Sequence, residues 1–220
     1  MIQFGSVLAV MWLYRAKILG AFLGLASDPA ARRFALMLII ASIPAGVAGV
    51  LLSDWVKGRL YQSPAVIASA FIIGGVAILM IERFRPKPVV FEADKTPVPR
   101  AFAVGVCQML ALVPGVSRSG ATIAMGLFLG LKRDAAARFT FLLAIPAMLA
   151  AAGKEALELR HMTLAPGTGQ LFALGILVSA VVGYVTIKYF LRFLAGHRLD
   201  VFAYYRFALA AATFVFLLWK

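Results

Sequence analysis

An all-α, multi-pass membrane protein is the fold class that this sequence predicts, and three observations carry the prediction. The chain is 63% hydrophobic and only 14% charged, with a mean hydropathy of +0.94, a composition outside the range of ordinary soluble domains. Six apolar segments follow one another along it, at 2–14, 34–52, 64–81, 139–158, 171–191 and 201–219. Between the third and the fourth, two half-length apolar runs, 101–113 and 120–131, flank a short stretch of Pro, Gly, hydroxyl residues and one arginine.

The first segment, 2–14, is too short to cross a bilayer alone, since a span needs roughly 20 apolar residues. Met1 leads straight into it without the basic region of a secretory signal, so the chain is expected to open inside a helix. Segments 34–52 and 64–81 are long enough to span, and Gly46, Gly49, Gly74 and Gly75 within them read as sites of close helix packing. Residues 86–100 hold prolines and mixed charges and read as a loop with no chemistry of its own. The segment 139–158 is interrupted by Lys154 and Glu155 near its end, where an interface is expected. Glu155 and Glu158 fall on one helix face and read as an interfacial pair beside Lys154.

The two runs around 113–122 are each too short to cross, so they predict a re-entrant hairpin that enters the membrane and turns back. Irregular backbone at that depth survives only where protein or a water-filled cavity surrounds it. The segment starts 2, 34 and 64 recur as 139, 171 and 201, at a constant offset of 137 residues. A duplication of a hairpin plus three crossings follows, and the odd number of crossings makes it an inverted repeat. Residues 1–85 are then the remainder of the first repeat, 86–100 the loop between halves, and 101–220 the second repeat, with its hairpin at 101–131. This phase puts the first hairpin ahead of Met1, so the chain is expected to lack it, by truncation or by loss. A rival phase pairs Arg33-Phe34 and Ile43-Pro44-Ala45 with Arg138-Phe139 and Ile145-Pro146-Ala147. It needs a gap inside a helix and is set aside.

The net charge is +13, from 22 Lys and Arg against 9 Asp and Glu. These cations lie mainly between apolar segments, which points to topology and anionic lipid heads, not to nucleic acid. Fifteen basic residues fall on the side from which the hairpin enters and five on the side of the termini. The hairpin side is therefore expected in the cytoplasm. Cys107 is the only cysteine, which excludes an intrachain disulfide and leaves a small packing residue.

The turn itself offers anion chemistry. A helix starting near Gly120 points unpaired amides and its positive dipole end at the turn. Ser117, Ser119 and Thr122 add hydroxyls, Gly115 and Gly120 allow close backbone approach, and Val116 and Ala121 complete the cradle. Arg118 supplies a planar fork suited to phosphate oxygens. An anion attached to a lipid is the ligand that fits this depth. The competing reading has Ser117 and Ser119 only capping the helix and Arg118 paired with a carboxylate. His161 and His197 have no metal-ligand spacing, no Ser-His-Asp set exists, and the histidine that a haloperoxidase-type phosphatase needs after Ser-Arg is replaced by Gly120-Ala121-Thr122-Ile123.

The run Pro114-Gly115-Val116-Ser117-Arg118-Ser119-Gly120-Ala121-Thr122, with Arg138-Phe139-Thr140-Phe141-Leu142-Leu143-Ala144-Ile145-Pro146, closely resembles the bacterial undecaprenyl-diphosphate phosphatase family, the bacitracin-resistance proteins. Ile2 to Val10 and Tyr205-Arg206-Phe207 are similar to further segments of that family. The resemblance covers essentially the whole chain. It implies a hydrolase at the bacterial inner membrane that converts undecaprenyl diphosphate to the monophosphate and recycles the carrier for peptidoglycan synthesis. It also implies that Arg118 holds the diphosphate with Ser117, Ser119 and Thr122 as hydrogen-bonding neighbours, and that a divalent cation, Mg or Ca, takes part. The family's glutamate-rich motif and Ser-Ser-Thr-Gly-His run would lie before Met1, so neither the base nor the metal ligands are identifiable in this chain. Expected partners are the polyprenyl diphosphate and membrane lipids, with a homodimer possible and no nucleic acid. Two further readings stay open: a lipid-phosphate transporter or flippase of inverted-repeat type, and an inactive form that only binds diphosphate.

Overall fold

Caps, and not hydropathy, set where the helices end, so most helices are longer than the apolar runs within them. A computed structural model describes residues 2–159 and 168–219, with all side chains except those of 155, 156, 158 and 159. His161 and the expected Glu155–Glu158 pair therefore lie outside the described residues and side chains. Asp28 accepts a hydrogen bond from the Ala30 amide and Pro29 takes the first helical position, which starts α3 (Pro29–Arg59). Ser63 and Pro64 start α4 (Pro64–Phe84) in the same way. Three further spans follow the hairpin: α7 (Arg133–Leu159), α8 (Thr168–Gly196) and α9 (Asp200–Leu218). These five helices are each long and apolar enough to cross a membrane. Pro44 and Pro146 sit inside α3 and α7, tolerated where neighbouring helices satisfy the freed backbone.

The first apolar segment needs a correction. It forms α1 (Phe4–Leu13), but the chain then turns by 76° at Tyr14 into a second helix, α2 (Arg15–Gly24). Arg15 and Lys17 hide this helix from a hydropathy reading. Arg15 reaches back across the bend, donating to the Trp12 carbonyl and stacking on the Trp12 ring. As one bent pair, α1 and α2 would count as a sixth span by length and composition.

The stretch after α4 is more ordered than a plain linker. The amides of Val89 and Val90 donate to the Gly130 carbonyl, and the Lys132 amide donates back to the Val90 carbonyl. Val90, Ala93 and Thr96 are buried, and Lys17 of α2 pairs with Asp94 at 2.7 Å. The segment thus wraps the open end of the hairpin and ties α2 to it. Nearby, Glu82 at the end of α4 is fully enclosed. Its carboxylate accepts from Arg133 of α7 at 2.8 Å and from the Leu199 amide at 2.8 Å. Arg133 also donates to the His197 carbonyl.

The hairpin's two arms are α5 (Val98–Gln108), extended by a 3-10 turn over Met109–Leu112, and α6 (Arg118–Phe128). Each α-helical arm is about 17 Å long at 1.5 Å per residue, short of the roughly 30 Å hydrocarbon layer. α5 lies backbone to backbone on α3, where a side chain at Gly105 would collide with the Ala41 carbonyl. α6 packs on α7, α4 on α9, and α1 on α8. The buried core is centred on this hairpin and includes Met37, Val104, Ile123, Leu127, Phe139 and Leu143. Gly74 and Gly75 are packing glycines, directly under Arg206 and Phe207 of α9. Gly46 and Gly49 are not, since a Cβ placed at either would meet no other element among the described residues within 4 Å. α8 presents an exposed apolar row that includes Leu171, Leu174, Val178, Val181 and Val185.

Candidate anion-binding site

Between the 3-10 turn and α6, five residues, Val113 to Ser117, reverse the chain inside the molecule. Gly115 takes φ +88°, a conformation that a side chain disfavours. A Cβ there would also stand 2.6 Å from the Ile67 carbonyl oxygen, so the turn is pressed onto α4. The N-cap is Ser117, whose hydroxyl accepts from the Gly120 amide at 3.1 Å, and α6 begins at Arg118, two residues earlier than Gly120. Gly120 leaves the room that this cap needs, since a Cβ at 120 would meet the Ser117 side chain at 3.1 Å. The amides of Arg118 and Ser119 have no acceptor among the described hydrogen bonds, as expected for the first positions of a helix.

Around those amides stand the other donors. The hydroxyls of Ser117 and Ser119 lie 3.4 Å apart. Arg118 is half-buried, and its guanidinium donates to the Met148 sulfur of α7, at 3.2 Å. A thioether is a weak acceptor, and no carboxylate among the described residues pairs with this guanidinium. Of the competing reading, the cap is present, and no carboxylate partner of Arg118 is found among the described side chains. Two cavities, of about 510 and 500 Å³, flank the turn. Val116, Ser117, Gly120 and Arg206 line both, while Ala121 lines the first and Gly115 and Ser119 the second. The first cavity is almost wholly apolar, walled by α4, α5 and α6.

Thr122 is placed elsewhere than in that cradle. It is 1% exposed, and its hydroxyl is engaged with the Arg118 carbonyl at 2.9 Å and with the Thr140 hydroxyl at 3.0 Å. Position 122 faces α7, and its hydroxyl fastens α6 to α7 through Thr140. Arg206 was legible only as a family mark. An arginine inside an apolar helix was nevertheless its signal, because such a charge needs partners wherever it is placed. Its guanidinium donates to the Gly115 carbonyl at 3.0 Å.

A divalent cation does not fit the cradle. Its donors are N–H, O–H and guanidinium groups, which suit an anion, and no cluster of three His, Cys, Asp or Glu exists among the described residues. The geometry defines a polytopic membrane protein whose re-entrant hairpin presents a helix N-terminus and two hydroxyls beside apolar cavities. The family model described as "Bacitracin resistance protein BacA" matches residues 1–212, and the chain belongs to that family. It is 39% identical over 211 residues to the undecaprenyl-diphosphatase of Phenylobacterium zucineum, covering 96% of this chain and 79% of the relative. It is 44% identical over 207 residues to undecaprenyl-diphosphatase 1 of Chromobacterium violaceum, covering 94% and 76%. To the undecaprenyl-diphosphatase of Azotobacter vinelandii it is 40% identical over 205 residues, covering 93% and 74%.

Proposed function

We propose that this chain is an inner-membrane phosphatase that hydrolyses undecaprenyl diphosphate to undecaprenyl phosphate and inorganic phosphate, recycling the cell-wall lipid carrier. The observation that carries the reading is the open N-terminus of α6, where Ser117 and Gly120 line the apolar cavity and Arg118, with no carboxylate partner among the described side chains, is the first helical residue. The terminal phosphate sits on the free amides of Arg118 and Ser119 and the hydroxyls of Ser117 and Ser119, with the Arg118 guanidinium against its oxygens. The prenyl chain leaves toward α4. A water oxygen bonds to the terminal phosphorus while the bond from that phosphorus to the bridging oxygen breaks. The electron pair stays on the lipid monophosphate, and the water's protons end on the phosphate products. The cradle's part is to stabilise charge on the transferring group, a contribution of about 10²–10³ in rate for one such donor.

The divalent cation implied by the family resemblance finds no ligand set among the described residues, so no step is assigned to it. The inverted repeat is supported by reciprocal packing. Exchanging α1 with α7, α3 with α8 and α4 with α9 turns the α1–α8 contact into α7–α3, and both are present. A homodimer would cover the apolar row on α8, and light scattering in detergent that returns one chain's mass removes it.

Phosphate release from undecaprenyl diphosphate by the purified chain tests the main reading. Release is expected, with Arg118→Ala slower by about 10²–10³. No release by the parent, or equal release by the variant, overturns it. Movement of labelled lipid phosphate across liposomes without release would support transport instead.

A further inference from the structure

We infer that Arg206 is a positioning residue for the cradle: seated in a notch at Gly74, its guanidinium holds the Gly115 carbonyl and so fixes the turn that starts α6.

Arg206 lies in the apolar helix α9 and is 7% exposed. None of the ion pairs among the described residues includes it. Its partners are main-chain carbonyls on two elements. Nη2 donates to Ala70 of α4 at 2.9 Å and to Gly115 of the turn at 3.0 Å, and Nε donates to Phe71 of α4 at 3.4 Å. The guanidinium carbon also stands 5.5 Å above the Phe71 ring.

Carbonyls inside a helix are normally covered by the side chains one turn on. Here those residues are Gly74 and Gly75. A Cβ at 74 would collide with Nη2 of Arg206, and one at 75 would come within 2.5 Å of the Phe207 ring. The bare patch on α4 is therefore shaped to admit this guanidinium. Once Nη2 is seated on the Ala70 carbonyl, its second N–H points at the turn and takes the carbonyl of the one turn residue with positive φ. Ser117, the cap of α6, follows two residues later. A lysine would lack the Nε–H that donates to Phe71 and the planar group that lies over its ring.

The inference rests on the phosphatase reading only in its activity arm, so the experiment has two arms, both on the full chain in lipid nanodiscs. In Arg206→Gln, amide hydrogen exchange at Val116, Gly120 and Ala121, whose amides donate within the turn and its cap, is expected to rise by about tenfold or more, while the end of α6 at 124–128 stays as in the parent. In the activity arm, kcat for undecaprenyl diphosphate falls by about 100-fold, the size of a small misplacement at a reacting centre, with KM within about threefold. Gly74→Ala keeps Arg206 but fills its seat and moves both readouts the same way. It decides the matter should Arg206→Gln not fold. Gly46→Ala, where the added methyl meets nothing, changes neither readout.

Unchanged exchange in the turn overturns the inference. So does a variant whose folded fraction keeps the parent kcat and loses only melting temperature. A KM rise that accounts for the whole loss also overturns it, since that marks a direct phosphate contact. If the parent releases no phosphate, the phosphatase reading has failed, and the exchange arm alone decides this one.

Discussion

Ser117 has two duties at one oxygen, capping α6 and lining both cavities. Ser117→Ala removes the acceptor of the Gly120 amide and is expected to lower stability by about 1 kcal/mol. Thermal unfolding in detergent reads that loss, and Ser117→Thr, which keeps an oxygen there, restores most of it. Thr122 and Thr140 form a buried hydroxyl pair, so Thr122→Val strands the Thr140 donor at a cost of about 1–3 kcal/mol. Thr122→Ser should remain near the parent in the same measurement. The cradle was legible because Gly115, Ser117, Arg118 and Gly120 are contiguous, and contiguous residue types state their chemistry. The contact of Thr122 with Thr140 was not legible, because residues 18 positions apart give no sign in a sequence that their hydroxyls meet. Arg206 was not legible as a partner of Gly115, because main-chain carbonyl acceptors leave no mark in a sequence.

The hairpin as an element depends on its turn lying flat on α4. Gly115→Ala forces a side chain into positive φ and onto the Ile67 carbonyl, so it is expected to lose more than about 1 kcal/mol. Phosphate release should fall at least as far as that misplacement displaces Ser117, read by kcat at unchanged protein mass. At the other end, Glu82 gathers α4, α7 and the α8–α9 connection around one enclosed carboxylate. Glu82→Gln leaves Arg133 without its counter-charge and is expected to cost about 3–5 kcal/mol, the range for breaking a buried pair. Denaturation followed by tryptophan fluorescence checks it. Half-length apolar runs announced the hairpin, and its arms are indeed too short to cross. α2 and the packed 86–97 segment were not announced, since one carries Arg15 and Lys17 and the other is held by main-chain bonds to Gly130.

At the scale of the whole molecule, spans were the most legible feature, because about 20 apolar residues in water have no alternative to lipid. Their ends were less so, since the Asp28 cap starts α3 at Pro29, ahead of the apolar run that begins at 34. One whole-molecule prediction concerns pH. Partial burial raises the Asp94 carboxyl, but the hydrogen bond and charge of Lys17 outweigh it and hold the group below its ordinary value. A depressed folded value means the tie between α2 and the hairpin segment is complete above the unfolded pKa of about 3.9. It is lost as the pH falls through the folded value. The unfolding temperatures of the parent and of Asp94→Asn should therefore differ at neutral pH and converge in acid, as a thermal series in detergent would read.

The bond from Arg206 to Gly115 joins residues 91 positions apart. A ribosome delivers the turn long before it delivers α9, so for that interval the nascent hairpin waits in the bilayer with its bend unfastened. Competence arrives late in synthesis, when the downstream helix swings in alongside α4. A stalled chain that stops short of α9 would carry every residue of the motif and still lack a finished grip.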